Sequence, residues 1–222
     1  LAPGISPGTS AMVERCDPAV ATPRLGTRGG KGQSAVWLRS IDSLEARPLA
    51  GTDGTSVRIR PFWSPDSRFL AFIAQGKLSK IPIDGGPAQK ICDAPTGADG
   101  SWGEDGTILF DGANIDPIRK VSAGGGVATD LLGDGKQTVG WPQFLPGGER
   151  FLYVDITEGK QAIRIAGPDG ANAREVVAGL SRVEYAPPGY LLFVRDATLV
   201  AQRFDPDRGE LKGDPVPVAE GL

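Results

Sequence analysis

The stretch Pro61-Phe62-Trp63-Ser64-Pro65-Asp66-Ser67-Arg68-Phe69-Leu70-Ala71-Phe72 reads as an aromatic strand end, a tight turn and a second apolar strand. Pro65 presets its own φ for the first central position of a turn over 64–67. Ser64 and Asp66 carry short oxygen-bearing side chains that bond nearby backbone amides. Trp63 and Phe72 then fall on two antiparallel strands. The same pattern returns as Trp102-Gly103-Glu104-Asp105-Gly106-Thr107-Ile108-Leu109-Phe110, as Phe144-Leu145-Pro146-Gly147-Gly148-Glu149-Arg150-Phe151, and as Tyr185-Ala186-Pro187-Pro188-Gly189-Tyr190-Leu191. The anchors Trp63, Trp102, Phe144 and Tyr185 are spaced by 39, 42 and 41 residues. Such a period, with four strand-like segments in each copy, is that of a β-propeller blade.

The rest of the composition agrees with an all-β chain. Among 222 residues, 32 glycines and 19 prolines punctuate short apolar runs that make up 40% of the sequence, which favours many strands joined by turns. The units are expected over 33–56, 57–96, 97–137, 138–179 and 180–222, the first being defective. In the second unit the four strands are expected at 60–63, 69–74, 78–83 and 88–92. Residues 1–32 fit poorly, as an irregular segment or degenerate first-blade strands. The run 25–32 has one apolar residue where later units have four or five, so a loop or a poor strand is expected there. Five blades close into a ring or form an arc of a larger one.

A net charge of −3 with both signs interspersed leaves no basic footprint for nucleic acid. The absence of His removes imidazole bases, His metal ligands and the His-containing triads. Cys16 and Cys92 are the only thiols, too few for a disulfide framework; a single bridge or two unpaired thiols remain open. No apolar run reaches the ~20 residues of a membrane helix, so no membrane insertion is expected of this segment. Leu1 in place of Met, without the regions of a secretory signal, reads as a mature or excised piece.

Several motifs invite chemistry and fall short of it. The Gly-rich runs Gly29-Gly30-Lys31-Gly32 and Gly133-Asp134-Gly135-Lys136-Gln137 lack the Ser or Thr after lysine that a phosphate-binding loop requires. The carboxylates Asp99, Glu104, Asp111, Asp116, Asp155, Glu184 and Asp196 could in principle support glycoside hydrolysis, yet no pair recurs at inner-strand positions. Asp111, Asn114 and Asp116 alternate like calcium ligands, but Pro117 and the missing Gly and Glu depart from an EF-hand loop. No catalytic residue, metal or cofactor is therefore expected.

The segments Pro61-Phe62-Trp63-Ser64-Pro65-Asp66-Ser67, Trp141-Pro142-Gln143-Phe144-Leu145-Pro146-Gly147-Gly148 and Tyr185-Ala186-Pro187-Pro188-Gly189-Tyr190-Leu191-Leu192-Phe193-Val194-Arg195 resemble the TolB-like, or PD40, propellers. They look closest to those forming the C-terminal half of bacterial serine/threonine protein kinases. The resemblance covers about residues 33–222. It implies a binding or sensing module, bacterial and extracytoplasmic, without kinase activity of its own.

The repeated residues Trp63, Pro65, Asp66, Trp102, Asp105, Phe144, Pro146, Tyr185 and Pro187 are read as parts that make each blade turn and pack. Recognition is expected instead in the non-repeating loops of one face, which supply Arg58, Arg60, Asp99, Asp111, Asn114, Asp116, Lys136, Gln137, Trp141, Arg182, Arg195 and Asp196. Trp141, three residues before its blade's anchor, is the aromatic expected to approach the channel. The expected ligand is a peptide, a protein or a small molecule. The alternatives are the substrate-gating propeller of a prolyl-oligopeptidase-type peptidase and a unit that self-associates through open blade edges.

Overall fold

The computed structural model describes residues 19–28, 31–40, 44–55, 60–112, 116–133, 138–157, 160–179 and 182–221. Its nineteen strands form five antiparallel sheets in chain order. The first has three strands, β1 (Ala19–Arg28), β2 (Lys31–Ser40) and β3 (Ala46–Pro48). The second is β4 (Phe62–Trp63), β5 (Phe69–Ala74), β6 (Lys77–Pro82) and β7 (Gln89–Asp93). The third is β8 (Gly100–Trp102), β9 (Thr107–Phe110), β10 (Ile118–Ser122) and β11 (Thr129–Leu132). The fourth is β12 (Thr138–Phe144), β13 (Phe151–Thr157), β14 (Lys160–Ala166) and β15 (Arg174–Ala178). The fifth is β16 (Glu184–Ala186), β17 (Tyr190–Arg195), β18 (Thr198–Asp205) and β19 (Glu210–Glu220). Each sheet is a meander, the blade of a β-propeller, and the five follow one another as an arc. Among the described residues no helix is long and apolar enough to cross a membrane.

Alternation along the strands shows why one blade cannot stand alone. In β5, Leu70 and Phe72 pack with Val36, Leu38 and Leu49 of the first sheet, while Ala71 and Ile73 pack with Ile108, Phe110 and Val121 of the third. In β13, Phe151 and Tyr153 face Leu109 and Ile118, and Leu152 and Val154 face Leu191, Phe193 and Val200 of the fifth sheet. Successive side chains point to opposite faces, so each central strand serves two neighbouring blades. Burial of each such side chain is worth about 1.5–3 kcal/mol. The four apolar clusters of described residues join sheets one to two, two to three, three to four and four to five.

The turn over 64–67 forms as its residues suggest. Ser67 N–H donates to Ser64 O at 2.9 Å, Ser64 Oγ donates to Asp66 Oδ1 at 2.6 Å, and Asp66 Oδ1 accepts Arg68 N–H at 3.1 Å. Asp105 repeats this by accepting Thr107 N–H at 2.8 Å. The Ser64 hydroxyl beside Asp66 is the largest of the causes that hold that carboxyl below the usual carboxylate range.

The described part of the N-terminal run takes the strand alternative. Residues 25–28, expected as a loop or poor strand, lie in β1, which pairs with β2 from Ala19↔Ser40 to Arg28↔Lys31. A ladder needs only backbone N–H and C=O groups, so a run poor in apolar residues can still pair with a neighbour. The last strand is also longer than its apolar residues suggested: β19 begins at Glu210, where Asp205 Oδ1 accepts the N–H groups of Asp207 and Arg208 and closes the hairpin.

Candidate ligand-binding mouth and channel

The four repeated turns meet around one opening. The ends of β4, β8, β12 and β16 bring Trp63, Trp102, Phe144 and Tyr185 to a concave mouth of about 450 Å³, with Pro65, Pro146 and Pro187 also lining it. All four aromatic anchors are half-buried. Neighbouring rings hold three of them: Trp102 lies 6.5 Å from Phe69, Phe144 meets Phe151 edge-on at 6.3 Å, and Tyr185 meets Phe204 edge-on at 6.3 Å. Such contacts fix ring orientation. The repeat residues thus build the turns and also wall the mouth, a placement the packing interpretation of the sequence did not anticipate.

One residue before each anchor, the inner strands carry Phe62, Ser101, Gln143 and Glu184. Three of the four are polar. Ser101 and Gln143 also line the mouth. Ser101 Oγ accepts Phe144 N–H at 3.0 Å. Gln143 donates from Nε2 to Glu184 Oε1 at 2.8 Å and accepts Tyr185 N–H at 2.7 Å. Ser101 and Gln143 were missed as candidates, although aligning the copies on their anchors marks that position.

Beyond Glu184 the network becomes ionic. Arg182 Nη1 lies 2.6 Å from Asp99 Oδ2, and its Nε lies 3.7 Å from Glu184 Oε2. Asp99 Oδ1 accepts Gly100 N–H at 2.9 Å. Asp111 is 3% exposed, and its two oxygens accept Asp99 N–H and Trp141 N–H, each at 2.7 Å. Burial raises all three carboxyl pKa values. For Asp99 and Glu184 the main opposing influence is the Arg182 charge. Glu184 keeps 54% of its side-chain surface open, so its desolvation comes from channel walls standing around a solvent-reached group. Asp111 is pushed up to about 7: burial leads, the Trp141 amide opposes it, and the Asp99 charge adds to it. With both oxygens on backbone amides, Asp111 is bonded as a carboxylate that ties three strand ends together.

The expected recognition residues do not form one cluster. Arg58, Asn114, Lys136 and Gln137 lie outside the described residues. Arg60 is exposed beside this network, its N–H donating to Ala98 O at 3.2 Å and its charge acting on Asp99 and Glu184. Asp116 crowds Gly112, and its buried Oδ2 has no partner among the described residues. Arg195 lies over the Phe193 ring at 5.5 Å and, with Asp196, lines a separate cavity of about 190 Å³. Trp141, expected to approach the channel mouth, packs against the apolar cluster between the fourth and fifth blades and also lines a cavity of about 200 Å³ with Ala98 and Asp111. Its φ of +54° falls where β12 shifts register against β13, as at a β-bulge. Cys92 is buried in the cluster between blades two and three, which raises its thiol pKa; Cys16 lies outside the described residues. Among the described residues no three acidic or thiol groups are placed to hold a metal ion.

This arrangement is a β-propeller arc, and solved structures share the fold. A TolB-type structure from Agrobacterium tumefaciens is similar at a TM-score of 0.66 and 16% identity, covering 92% of this chain and 84% of that one. A chain of the nidogen/laminin complex is similar at 0.68 and 14%, covering 84% and 75%. A prolyl endopeptidase is similar at 0.59 and 15%, covering 91% of this chain and 33% of the other. No family model and no curated protein matches the sequence.

Proposed function

We propose that this chain is a non-catalytic binding module whose ligand, a peptide, protein segment or small molecule, enters the aromatic mouth of the propeller. One observation carries the reading: the same position in four successive blades brings Trp63, Trp102, Phe144 and Tyr185 to a single opening of about 450 Å³. Apolar walls with a few convergent polar groups are the usual make-up of a binding site. Here the polar groups are the Ser101 hydroxyl, whose proton has no acceptor among the described residues, and the Gln143 amide, held by Glu184 and the Tyr185 backbone. The similarity to a chain of the nidogen/laminin complex, a protein–protein assembly by its description, supports a protein or peptide ligand. Attachment to a signalling domain is the context that the kinase-linked resemblance favours.

The test is selection of a displayed random-peptide library on the purified chain, followed by titration of the enriched peptides. They should bind with affinity lowered about tenfold or more by Trp102→Leu or Gln143→Ala, since both sit centrally in a shared site. Binding that survives both substitutions would place the site elsewhere. A second reading, the gating propeller of a peptidase, is favoured by the prolyl endopeptidase similarity. With no His in the chain, its chemistry would reside in a separate hydrolase domain, and the flanking gene sequence distinguishes the two. Self-association is less well supported, because Pro215 and Pro217 remove two N–H donors from the outer strand β19.

A further inference from the structure

A further cavity lies apart from the mouth, where turns of the fourth and fifth blades meet. It encloses about 620 Å³ and is lined by Arg150, Arg174 and Arg208 together with Glu149 and Asp169. Arg150 leads into β13, Arg174 opens β15, and Arg208 stands in the β18–β19 hairpin.

Two of these cations converge on one point. A Cβ added to Gly209 would stand 2.9 Å from Arg174 Nη2 and 3.4 Å from Arg150 Nη1. Arg174 Nη2 donates to the carbonyl oxygens of Arg208 and Gly209, the latter at 3.0 Å. These acceptors are neutral, so they orient the guanidinium without cancelling its charge. The guanidiniums of Arg150 and Arg208 make no hydrogen bond or ion pair among the described residues. Asp169 spends Oδ1 on Ala171 N–H at 2.9 Å, and neither it nor Glu149 pairs with the three arginines among the described residues. Like charges brought together without a counter-ion repel one another, and this happens in a chain whose net charge is −3.

We propose that this basin binds a phosphate group, with Arg150 and Arg174 clamping it beside Gly209 and Arg208 closing over it. Guanidinium presents planar, paired N–H donors that match phosphate oxygens, and it remains charged at any physiological pH. Gly209 suits the site because a side chain there would occupy the point on which the clamp converges. The two carboxylates on the wall disfavour a ligand with extended negative charge, so one phosphate group fits better than a polyanion.

The probes are inorganic phosphate and O-phosphoserine, titrated calorimetrically into the purified chain at neutral pH and constant ionic strength, with chloride as the control. Saturable phosphate binding is expected. It should weaken about tenfold or more in Arg150→Gln and in Arg208→Gln, as each loses a charge-assisted contact, while Arg150→Lys keeps the charge and falls between. Neither guanidinium bonds another group among the described residues, so the urea midpoint of these variants should match the parent and separate lost binding from lost fold. Tighter binding of O-phosphoserine assigns the basin to a phosphorylated ligand, equal binding to the free anion, and both sustain phosphate recognition. Heats no larger than those of chloride, or Gln variants that bind like the parent, overturn it.

Discussion

Arg182 of the fifth blade pairs with Asp99 of the third at 2.6 Å, reaching past the fourth blade along the channel. The Asp99 side chain is 5% exposed and that of Arg182 31%, so the pair is shielded but not dry. Removing Arg182 leaves Asp99 with the Gly100 amide as its remaining hydrogen-bond donor among the described residues. Stranding a buried charge costs about 3–5 kcal/mol, and the partial exposure of Arg182 places Arg182→Met toward the lower end. Urea denaturation of Arg182→Met, Asp99→Asn and the double variant measures the coupling. The double variant is expected to be more stable than the sum of the two single losses; strict additivity would show that the pair contributes nothing.

The carboxyl beside that pair makes stability depend on pH in an unusual direction. Asp111 titrates at about 7 in the folded chain against about 4 when unfolded, so the native state holds its proton more tightly. Its contribution is therefore fully present below about pH 4 and lost as pH rises through about 7, a change on the order of 4 kcal/mol. Asp99 and Glu184, also raised, act in the same sense. Asp66 and Asp93, exposed, and Asp205, half-buried, are lowered and act weakly in the opposite sense. Carboxyl-carbon NMR should find the Asp111 midpoint near neutrality, and the unfolding free energy should rise on acidification from pH 8 to about 5. A midpoint near 4 would show that the two amide donors outweigh burial.

Much of this architecture was legible because a propeller writes its period into the chain. Phe69–Ala74 and Tyr190–Arg195 emerge as strands with the bounds their apolar runs suggest, since each is flanked by turn residues and buried on both faces. β1 was legible only as one of two alternatives, a loop or a poor strand, because its pairing rests on backbone groups that every residue possesses. The site was harder still. Trp63 and its equivalents have one face for packing and another for the mouth, and periodicity reports only that they recur. The Arg182–Asp99 contact spans 83 residues, a separation on which no local pattern bears. Trp141 stands at a bulge, which shifts register by residues that a strand pattern counts as regular.

Close approach of the inner strands gives a sharper test of the packing. A Cβ on Gly100 would fall 2.6 Å from Phe62 Cε1 and 2.7 Å from the Leu109 carbonyl oxygen. The ring could shift only into the cluster between blades two and three, and the carbonyl belongs to the paired strand. Gly100→Ala is therefore expected to destabilise by about 1–3 kcal/mol, as overpacking does. Gly124→Ala is the control, since its added carbon would meet Ser122 Oγ at an ordinary 3.4 Å. Equal thermal midpoints for the two variants would mean that the channel wall yields.

The double duty of the anchors can be separated by comparing Trp102 with Ser101. Trp102 packs beside Phe69 and against the cluster between blades two and three, and it also faces the mouth. Trp102→Leu keeps an apolar side chain but loses volume and the ring pair, the pair alone being worth about 0.5–1.5 kcal/mol, so it should lower both stability and peptide affinity. Ser101→Ala removes only a hydroxyl that accepts Phe144 N–H at 3.0 Å. Its stability loss should be about 1 kcal/mol, with a further loss of affinity if the hydroxyl proton meets the ligand. Urea midpoints and titrations with the selected peptides resolve the two quantities. A Trp102→Leu chain that loses stability but binds peptide as tightly as the parent would return the repeated aromatics to a packing role alone and move recognition to the loops around Arg60 and Asp116.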